Sequence, residues 1–518
     1  MRLSLAFACF LFIVTLFQFT AFSFSSEQPA VLCHSDERLA LLQLKDSFII
    51  DKQALAAGFC AYPKVDSWDS QSVDCCSWDG IDCDKITEIS KVYRLSSLDF
   101  SNNWDTNPSQ RLLVLEKPDV KSLIQNLTNL KYLSLSYVVV ASPIPSVLAN
   151  LSSLTSLYLE FCGLQGMFPL AIFRLPNLET VWLVDNLDLT GYLLEFNFSN
   201  KLKKLALWDT SFSGELPASI DNLNSLEFLG LGHCNFSGSV PSTLGNLPNL
   251  KFLDLATNSF TGSVPPTLGN LTKLDTLELH DNYFTGFIPS ELTNLTQLTS
   301  LNLLGNMLHG SVPSSISRLE KLKFFDCDDN RLGGILEMDA FLELKDLQYL
   351  FLSLNNFYLV SPDNSNATRP QAQLVDIGLR LSNNSLIGFD DFPLVLPWSK
   401  LQYLKLDSNI LRGSLPVPPL STVFYSISNN SLNGEIPQLL CNLSSLSILD
   451  FSYNNMSVLR TPIEEVSSCP RVAPLLMAPQ GGRPRDGLIK VLLAKKERKN
   501  EMLGVGMKRG NERMEEKC

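Results

Sequence analysis

Residues 226–330 are built from copies of one short unit. They read LEFLGLGHCNFSGSVPSTLGNLPN, LKFLDLATNSFTGSVPPTLGNLTK, LDTLELHDNYFTGFIPSELTNLTQ and LTSLNLLGNMLHGSVPSSISRLEK, and a fifth copy opens LKFFDCDDN. The frame L-x-x-L-x-L-x-x-N returns every 24 residues. In L-x-L the two leucines point to one side of a strand and the intervening residue to the other. Each unit therefore has one apolar face and nothing of its own to bury it against. Stacking identical units in register solves this, so the chain is expected to grow by addition into a single solenoid rather than to divide into several globular domains.

Taking the last strand leucine as phase zero, that position falls at Phe100, Leu135, Leu159, Leu183, Leu207, Leu231, Leu255, Leu279, Leu303, Cys327, Leu352, Leu381, Leu406, Ile427 and Phe451. The asparagine three residues later stands where the chain leaves the strand, and its amide can bond backbone groups of its own and the adjacent coil. Asn258, Asn282, Asn306 and Asn330 form that column. The G-x-(I/V)-P half that follows, as in Gly262-Ser263-Val264-Pro265, supplies a turn and an extended segment that fits a second short strand per coil. The frame is the leucine-rich-repeat signature, and its second half resembles the plant-specific extracellular class. The expected fold is an α/β repeat solenoid, a right-handed superhelix with a parallel concave sheet. Residues 104–116 look like an insertion, and 361–373 like a polar loop bulging from a coil.

A solenoid exposes the apolar edge of its first coil and needs a cap. Ser35 can cap a helix through ALLQLKDSF, with Leu39, Leu42 and Phe48 on one face. Trp68 and the cluster Cys75-Cys76-Ser77-Trp78-Asp79-Gly80-Ile81-Asp82-Cys83 follow. This segment resembles the N-terminal cap of plant leucine-rich-repeat receptors and receptor-like proteins. That resemblance implies the pairs Cys33 with Cys75 and Cys76 with Cys83, and leaves Cys60 unassigned. Phase settles three others. Cys162 and Cys234 stand in the asparagine column and Cys327 replaces a strand leucine, so all three are read as buried free thiols. Cys441 and Cys469 flank the final coil and are candidates to pair.

Met1 to Ser26 has the plan of a secretory signal peptide: Arg2, an apolar run through Phe22, then small residues. Beyond it the sequence shows no second apolar run long enough to span a bilayer. Export agrees with eleven N-x-S/T sequons, at Asn126, Asn150, Asn197, Asn235, Asn270, Asn294, Asn366, Asn383, Asn429, Asn442 and Asn455. Five of these, Asn126, Asn150, Asn270, Asn294 and Asn442, sit nine residues before phase zero and hence on one flank. The division expected is a signal peptide at 1–25, a cap at 26–91, about 15 repeats at 92–470 and a basic tail at 471–518. The tail has no repeat phase and reads as disordered or weakly helical, adding no coil.

Charge narrows function. The chain carries −12 overall, although 471–518 is basic, so the body is strongly acidic and shows no basic stripe of the kind nucleic acid needs. The four histidines, His34, His233, His280 and His309, form no metal spacing, and no glycine-rich phosphate loop opens a helix, so neither an enzyme nor a cofactor is expected. Residues flanking the strand leucines are free of packing duties and are presented in rows. Those rows yield an exposed aromatic track, Tyr158, Trp182 and Trp208 with Phe161 nearby. They also yield an acidic track, Asp254, Glu278, Asp281, Asp326, Asp328 and Asp329, with His280 among it. A ligand with a basic segment followed by an apolar one would satisfy both.

Signal, cap, repeats and sequons together cover nearly all of residues 1–470 and resemble the ectodomain of a plant receptor-like protein. The resemblance implies a kinase-less receptor, at the outer face of the plasma membrane or in the extracellular space. Such a receptor binds a peptide, protein or glycan ligand on its concave face and signals in defence or development through a partner receptor kinase. Full members continue through an island loop and last repeats to a membrane span, so the chain is expected to be truncated before them. The other class compatible with the residues is a secreted inhibitor resembling plant polygalacturonase inhibitors, which has about ten repeats.

Overall fold

A computed structural model describes residues 32–50, 63–72, 74–85, 92–101, 113–115, 127–196, 201–336, 338–358, 377–387, 400–457 and 490–492. The expected signal peptide, Cys60, Cys469, the 361–373 loop and most of the tail lie outside the described residues, as do Asn126, Asn197 and Asn366. The chain divides into two compact units, 1–162 and 163–518.

The first unit is the cap and the opening coils. Cys33 is bridged to Cys75 and Cys76 to Cys83, with Cα separations of 5.5 and 5.7 Å, the pairing that the resemblance implied. The helix Ser35–Lys45 is capped by His34, whose ring accepts from the Asp36 N–H. Its buried stripe is Glu37, Ala40, Leu41 and Leu44, so the expected face was wrong: Leu39 is 58% exposed. Phe48 lies outside the helix, in the strand Phe48–Ile50. The reason is Glu37. Its carboxylate is 1% exposed, accepts the Leu95 N–H at 3.0 Å and pairs with Arg94 at 3.5 Å, and this turns the helix so that the acid faces inward.

Trp68 stacks on Trp78 at 5.6 Å and meets Phe100 at 5.5 Å, and Phe48 meets Phe100 at 5.1 Å, so aromatic rings seal the first coil. The strand Val92–Asp99 is antiparallel to Ile81–Lys85 and parallel to Tyr132–Ser134, which pairs in turn with Ser156–Tyr158. Part of the expected insertion is ordered as the strand Leu113–Leu115, between Phe48–Ile50 and Val138–Val139.

In the second unit one short strand per coil runs parallel from Thr180–Trp182 to Ile448–Asp450, with phase-zero residues paired in register around it. The G-x-(I/V)-P halves make a nine-stranded second sheet, Gln165–Met167 through Asn356–Tyr358, as their turn chemistry implied. The third side is a stack of 3₁₀ turns such as Ser242–Asn246, Pro266–Asn270 and Ser290–Asn294. These turns touch closely: a Cβ on Gly269 would lie 2.2 Å from the Glu291 carbonyl oxygen, which explains why glycine precedes the asparagine there.

The interior is leucine interleaved with stacked Phe236, Phe260 and Phe284, at 6.3 and 6.2 Å. The asparagine column forms as expected. Asn258 Nδ2 donates to the carbonyls of Leu231, Leu255 and Ala256, and its Oδ1 accepts the Phe236 N–H at 2.9 Å. Cys234 substitutes for it one coil earlier, donating to the Leu207 and Gly232 carbonyls. Cys162 does the same in the first unit, and Cys327 is buried, so the three thiols are where phase placed them.

The tail departs from expectation. Lys490–Leu492 is a strand, antiparallel to Ile448–Asp450, and it pairs with the edge that the last repeat strand would otherwise present.

Two outcomes follow from this architecture. Glu37→Ala leaves the Leu95 N–H and Arg94 without their buried acceptor, and should destabilise the cap by about 2 kcal/mol or more, read by urea unfolding of the secreted chain. Glu37→Gln, which keeps an acceptor, should lose less. Deletion of 471–518 bares the Ile448–Asp450 edge. It should lower the melting temperature by a few degrees and promote concentration-dependent association, seen by calorimetry and light scattering.

Candidate functional site

The alternation that buries Leu253 and Leu255 puts Phe252, Asp254 and Ala256 on the open face, and the parallel register carries this to every coil. Three columns result. The sequence reading used the two that flank the last leucine. The third, three residues before phase zero, was missed, although it reads Phe228, Phe252, Thr276, Ser300, Phe324, Tyr349 across consecutive strands. Its aromatic content was the available signal.

The residues of the aromatic track belong to both units. Tyr158 belongs to the first unit, where its ring meets Tyr132 at 5.4 Å and Phe161 stacks on Tyr137 at 5.0 Å. Trp182 and Trp208 are in the second unit, edge to face at 5.8 Å. They are joined by the missed column: Trp182 stacks on Phe228 at 5.4 Å, and Phe228 lies on Phe252 at 4.4 Å and 7°.

Trp208 is held on three sides. Its Nε1–H donates to Asp254 Oδ2 at 2.9 Å, and Phe228 and Phe252 meet its ring edge-on. Its indole lies over Gly230 and Gly232, where an added Cβ would come within 2.5 and 2.9 Å of the ring. Two consecutive open-face glycines are thus the shelf for one tryptophan. Asp254, expected in the acidic zone, serves the aromatic one.

The acidic track is not a solvated face, which corrects its expected exposure. Asp254, Glu278, Asp326 and Asp328 are 3, 4, 6 and 8% exposed, and His280 is buried with them. In a parallel sheet, identical positions stack at roughly 4.8 Å, so each side chain is covered by those of the coils beside it. Glu278 accepts from Ser300 Oγ at 3.1 Å and lies 3.3 Å from His280 Nδ1, while Asn302 Nδ2 stands 3.0 Å from the same ring nitrogen. Burial alone would lower the His280 pKa, but the Glu278 carboxylate, with Asp254 and Asp281, raises it.

Asp326 and Asp328 are pushed up to about 7 and about 6, in both cases first by burial. The neighbouring Asp328 carboxylate adds to the effect on Asp326, against the Asp328 N–H, Arg380 and His280. The Ser353 N–H, Arg380 and Lys405 oppose the shift of Asp328. Asp281 and Asp329, by contrast, are exposed. They occupy the residue two past phase zero, where the chain turns with φ of 53° and 51°.

Beyond the acids lies a second aromatic group. Phe324, Tyr349 and Phe351 meet at 5.7–6.1 Å, and the Arg380 guanidinium, which the sequence reading did not single out, lies 4.2 Å over Phe351. The face is therefore two aromatic walls separated by a polar floor. Among the described residues no group of His, Cys, Asp and Glu could hold a metal, and no helix is long and apolar enough to cross a membrane. All eight described sequon asparagines, Asn150, Asn235, Asn270, Asn294, Asn383, Asn429, Asn442 and Asn455, are exposed.

Fold and cap together define a disulfide-capped leucine-rich-repeat solenoid. Family models agree: one described as a leucine-rich repeat N-terminal domain matches residues 34–84, and one described as a leucine-rich repeat region matches 193–304. Among curated relatives, Receptor-like protein 6 of Arabidopsis thaliana is 31% identical over 272 residues, 38% of this chain and 27% of the relative. Receptor-like protein 9DC1 of Solanum pimpinellifolium is 29% identical over 291 residues, 42% of this chain and 33% of the relative. Among solved structures, the Arabidopsis receptor kinase HAESA in complex with the peptide hormone IDA and the co-receptor SERK1 superposes with a TM-score of 0.62 at 29% identity, covering 82% of this chain and 70% of that one. A TDR receptor gives a TM-score of 0.55 at 30% identity, covering 67% and 63%. The chain carries a leucine-rich-repeat N-terminal domain and a leucine-rich repeat region, and is similar to plant leucine-rich-repeat receptor-like proteins. It spans about a third or less of the length of the curated relatives it matches.

The raised acids have a consequence for stability. Between about pH 4 and 7 the folded chain keeps protons that the unfolded chain, with carboxyls near 3.8, has lost, so stability falls as pH rises through that window. Calorimetry at constant ionic strength should show the melting temperature declining from pH 4.5 to 7.5, and Asp326→Asn should flatten the decline. An unchanged slope in that variant would remove the pair as its source.

Proposed function

We propose that the chain is a cell-surface or secreted recognition protein. It binds a peptide or protein ligand on the open face of its strand sheet and acts in plant defence or development with a partner receptor kinase. The observation that carries this reading is Trp208: an indole laid on two glycines, bonded to Asp254 and ringed by Phe228, Phe252 and Trp182 costs nothing to order when a ligand arrives. No packing need of the coil calls for it. The peptide hormone and co-receptor in the HAESA complex support the same ligand class and the same kind of partner. The exposed sequons are in turn proposed to carry glycans that leave the strand face clear.

The test is selection of random dodecapeptides on the secreted chain, followed by affinity measurement on variants. Trp182→Ala should cost about 2 kcal/mol or more, as a central aromatic anchor does. Gly232→Val, which lifts Trp208 from its shelf, should cost a similar amount without loss of secretion. At pH 8, above the point where Asp326 gives up its proton, Asp326→Asn should mainly slow association and weaken its salt dependence. Selected peptides that bind the Trp182→Ala, Trp208→Ala double variant as well as the wild type would move the site to another face. Inhibition of a polygalacturonase at equimolar protein, together with no peptide selected, would replace the receptor reading with the inhibitor one.

A further inference from the structure

The column missed in the sequence carries a spacing. Phe228 and Phe252 are stacked, Thr276 and Ser300 follow, and Phe324 and Tyr349 come next, 6.1 Å apart. The inner edges of the two walls, Phe252 and Phe324, are three strands apart, which at roughly 4.8 Å per strand is about 14 Å. Beside the gap the adjacent column supplies Asp254, Glu278, Asn302 and Asp326, all buried and three of them acids. A ligand lying along this face crosses the strands, so it gains no ladder hydrogen bonds and is read through its side chains.

An extended peptide rises about 3.3 Å per residue and points alternate side chains to one side. Residues i and i+4 are then about 13 Å apart on the same face, and residue i+2 falls midway, over Glu278 and Asn302. Spacings of three or five turn the second ring away. His280 meets the charge of Glu278, while Asp254, which accepts the neutral Trp208 N–H and a backbone N–H, leaves the floor negative, so a cation is the chemistry that complements it. The chain's own strand Lys490–Leu492 is paired elsewhere, on Ile448–Asp450, so the occupant is another molecule.

Resting on the function proposed above, we propose that the strand face of the second unit reads an extended peptide with two ring-bearing side chains four residues apart and a lysine or arginine midway between them. Phe252 and Phe324 are the specificity-determining residues for the rings, and the negative floor between them meets the cation.

The experiment uses the full secreted chain and fluorescein-labelled decapeptides of glycine and serine that carry two phenylalanines at spacings of three, four or five with one arginine between. Anisotropy should show the spacing of four binding at least tenfold tighter than the other two, with a tenfold loss when glutamate replaces the arginine. Phe252→Ser and Phe324→Ser should each abolish the preference for four, and Phe252→Tyr, which keeps a ring, should retain it. Equal affinity at all three spacings overturns the inference, as does a preference that survives in the Phe252→Ser, Phe324→Ser double variant. Binding of wall oligosaccharides at Phe252, with no peptide of the set bound, overturns it as well. If library selection yields peptides that lack this motif, the spacing fails while peptide recognition stands. If selection yields no peptide at all, both fail.

Discussion

One asparagine amide per coil decides what else the structure can do. A strand of three residues followed by a turn leaves carbonyls and an N–H facing inward, where no water reaches them, and each would cost free energy if left unpaired. Asn258, Asn282 and Asn306 pair them with the same set of bonds each time, reaching back 27 residues to the previous coil as well as within their own. The bond to the previous coil fixes the offset between units, and the fixed offset produces the parallel register of the strands. Where cysteine takes the asparagine's place, the donor role is kept and the amide's acceptor is lost. Cys234 donates to Leu207, and the Phe212 N–H turns to the Thr210 hydroxyl at 3.5 Å. A thiol is tolerated there because it is small, buried and slow to ionise, burial pushing it up to about 11.

That register has a consequence for the open face. Side chains that owe nothing to the core are stacked strand over strand at a spacing near that of stacked rings, so like residues in one column either pack or repel. Phe228 and Phe252 pack at 4.4 Å. Asp326, covered by the coils on either side and with Asp328 beside it on its own coil, is instead desolvated and keeps its proton to about pH 7, first because of that burial. The same geometry that makes an aromatic wall therefore makes a carboxylate floor costly, and the acids persist in a protein that could have placed serine at every one of those positions. Strain of this kind gathers at binding surfaces.

How much of this could be read from the sequence varied with the physics involved. Period and phase were legible because burial of leucine recurs at fixed intervals, and they placed the ladder, the second sheet and the three free thiols. The cap disulfides were legible only through resemblance. The helix face was misread because Glu37 looks like a solvent residue until Arg94 and Leu95, 57 and 58 positions later, are brought to it. The acids were misread as exposed because a side chain's accessibility in a parallel sheet depends on the coils beside it and not on its own strand. The short strand at 490–492 gave no periodic signal at all, since a three-residue edge strand is too short to show one.

Gly230 and Gly232 show where sequence and site meet most closely. Within L-G-L-G the glycines weaken a strand that every other coil fills with larger residues, and on propensity alone they are a defect of about 1 kcal/mol each. Trp208 explains them, since any Cβ at either position would collide with its indole. The indole's position is then fixed from the coil before, by its own strand, and from the coil after the glycines, by Asp254. Three consecutive coils are thereby committed to the placement of one ring that the fold itself does not require. A surface merely left to vary would not coordinate a tryptophan, two glycines and an aspartate across 46 residues of sequence. Coordination of that kind is the physical mark of a face that has something to hold.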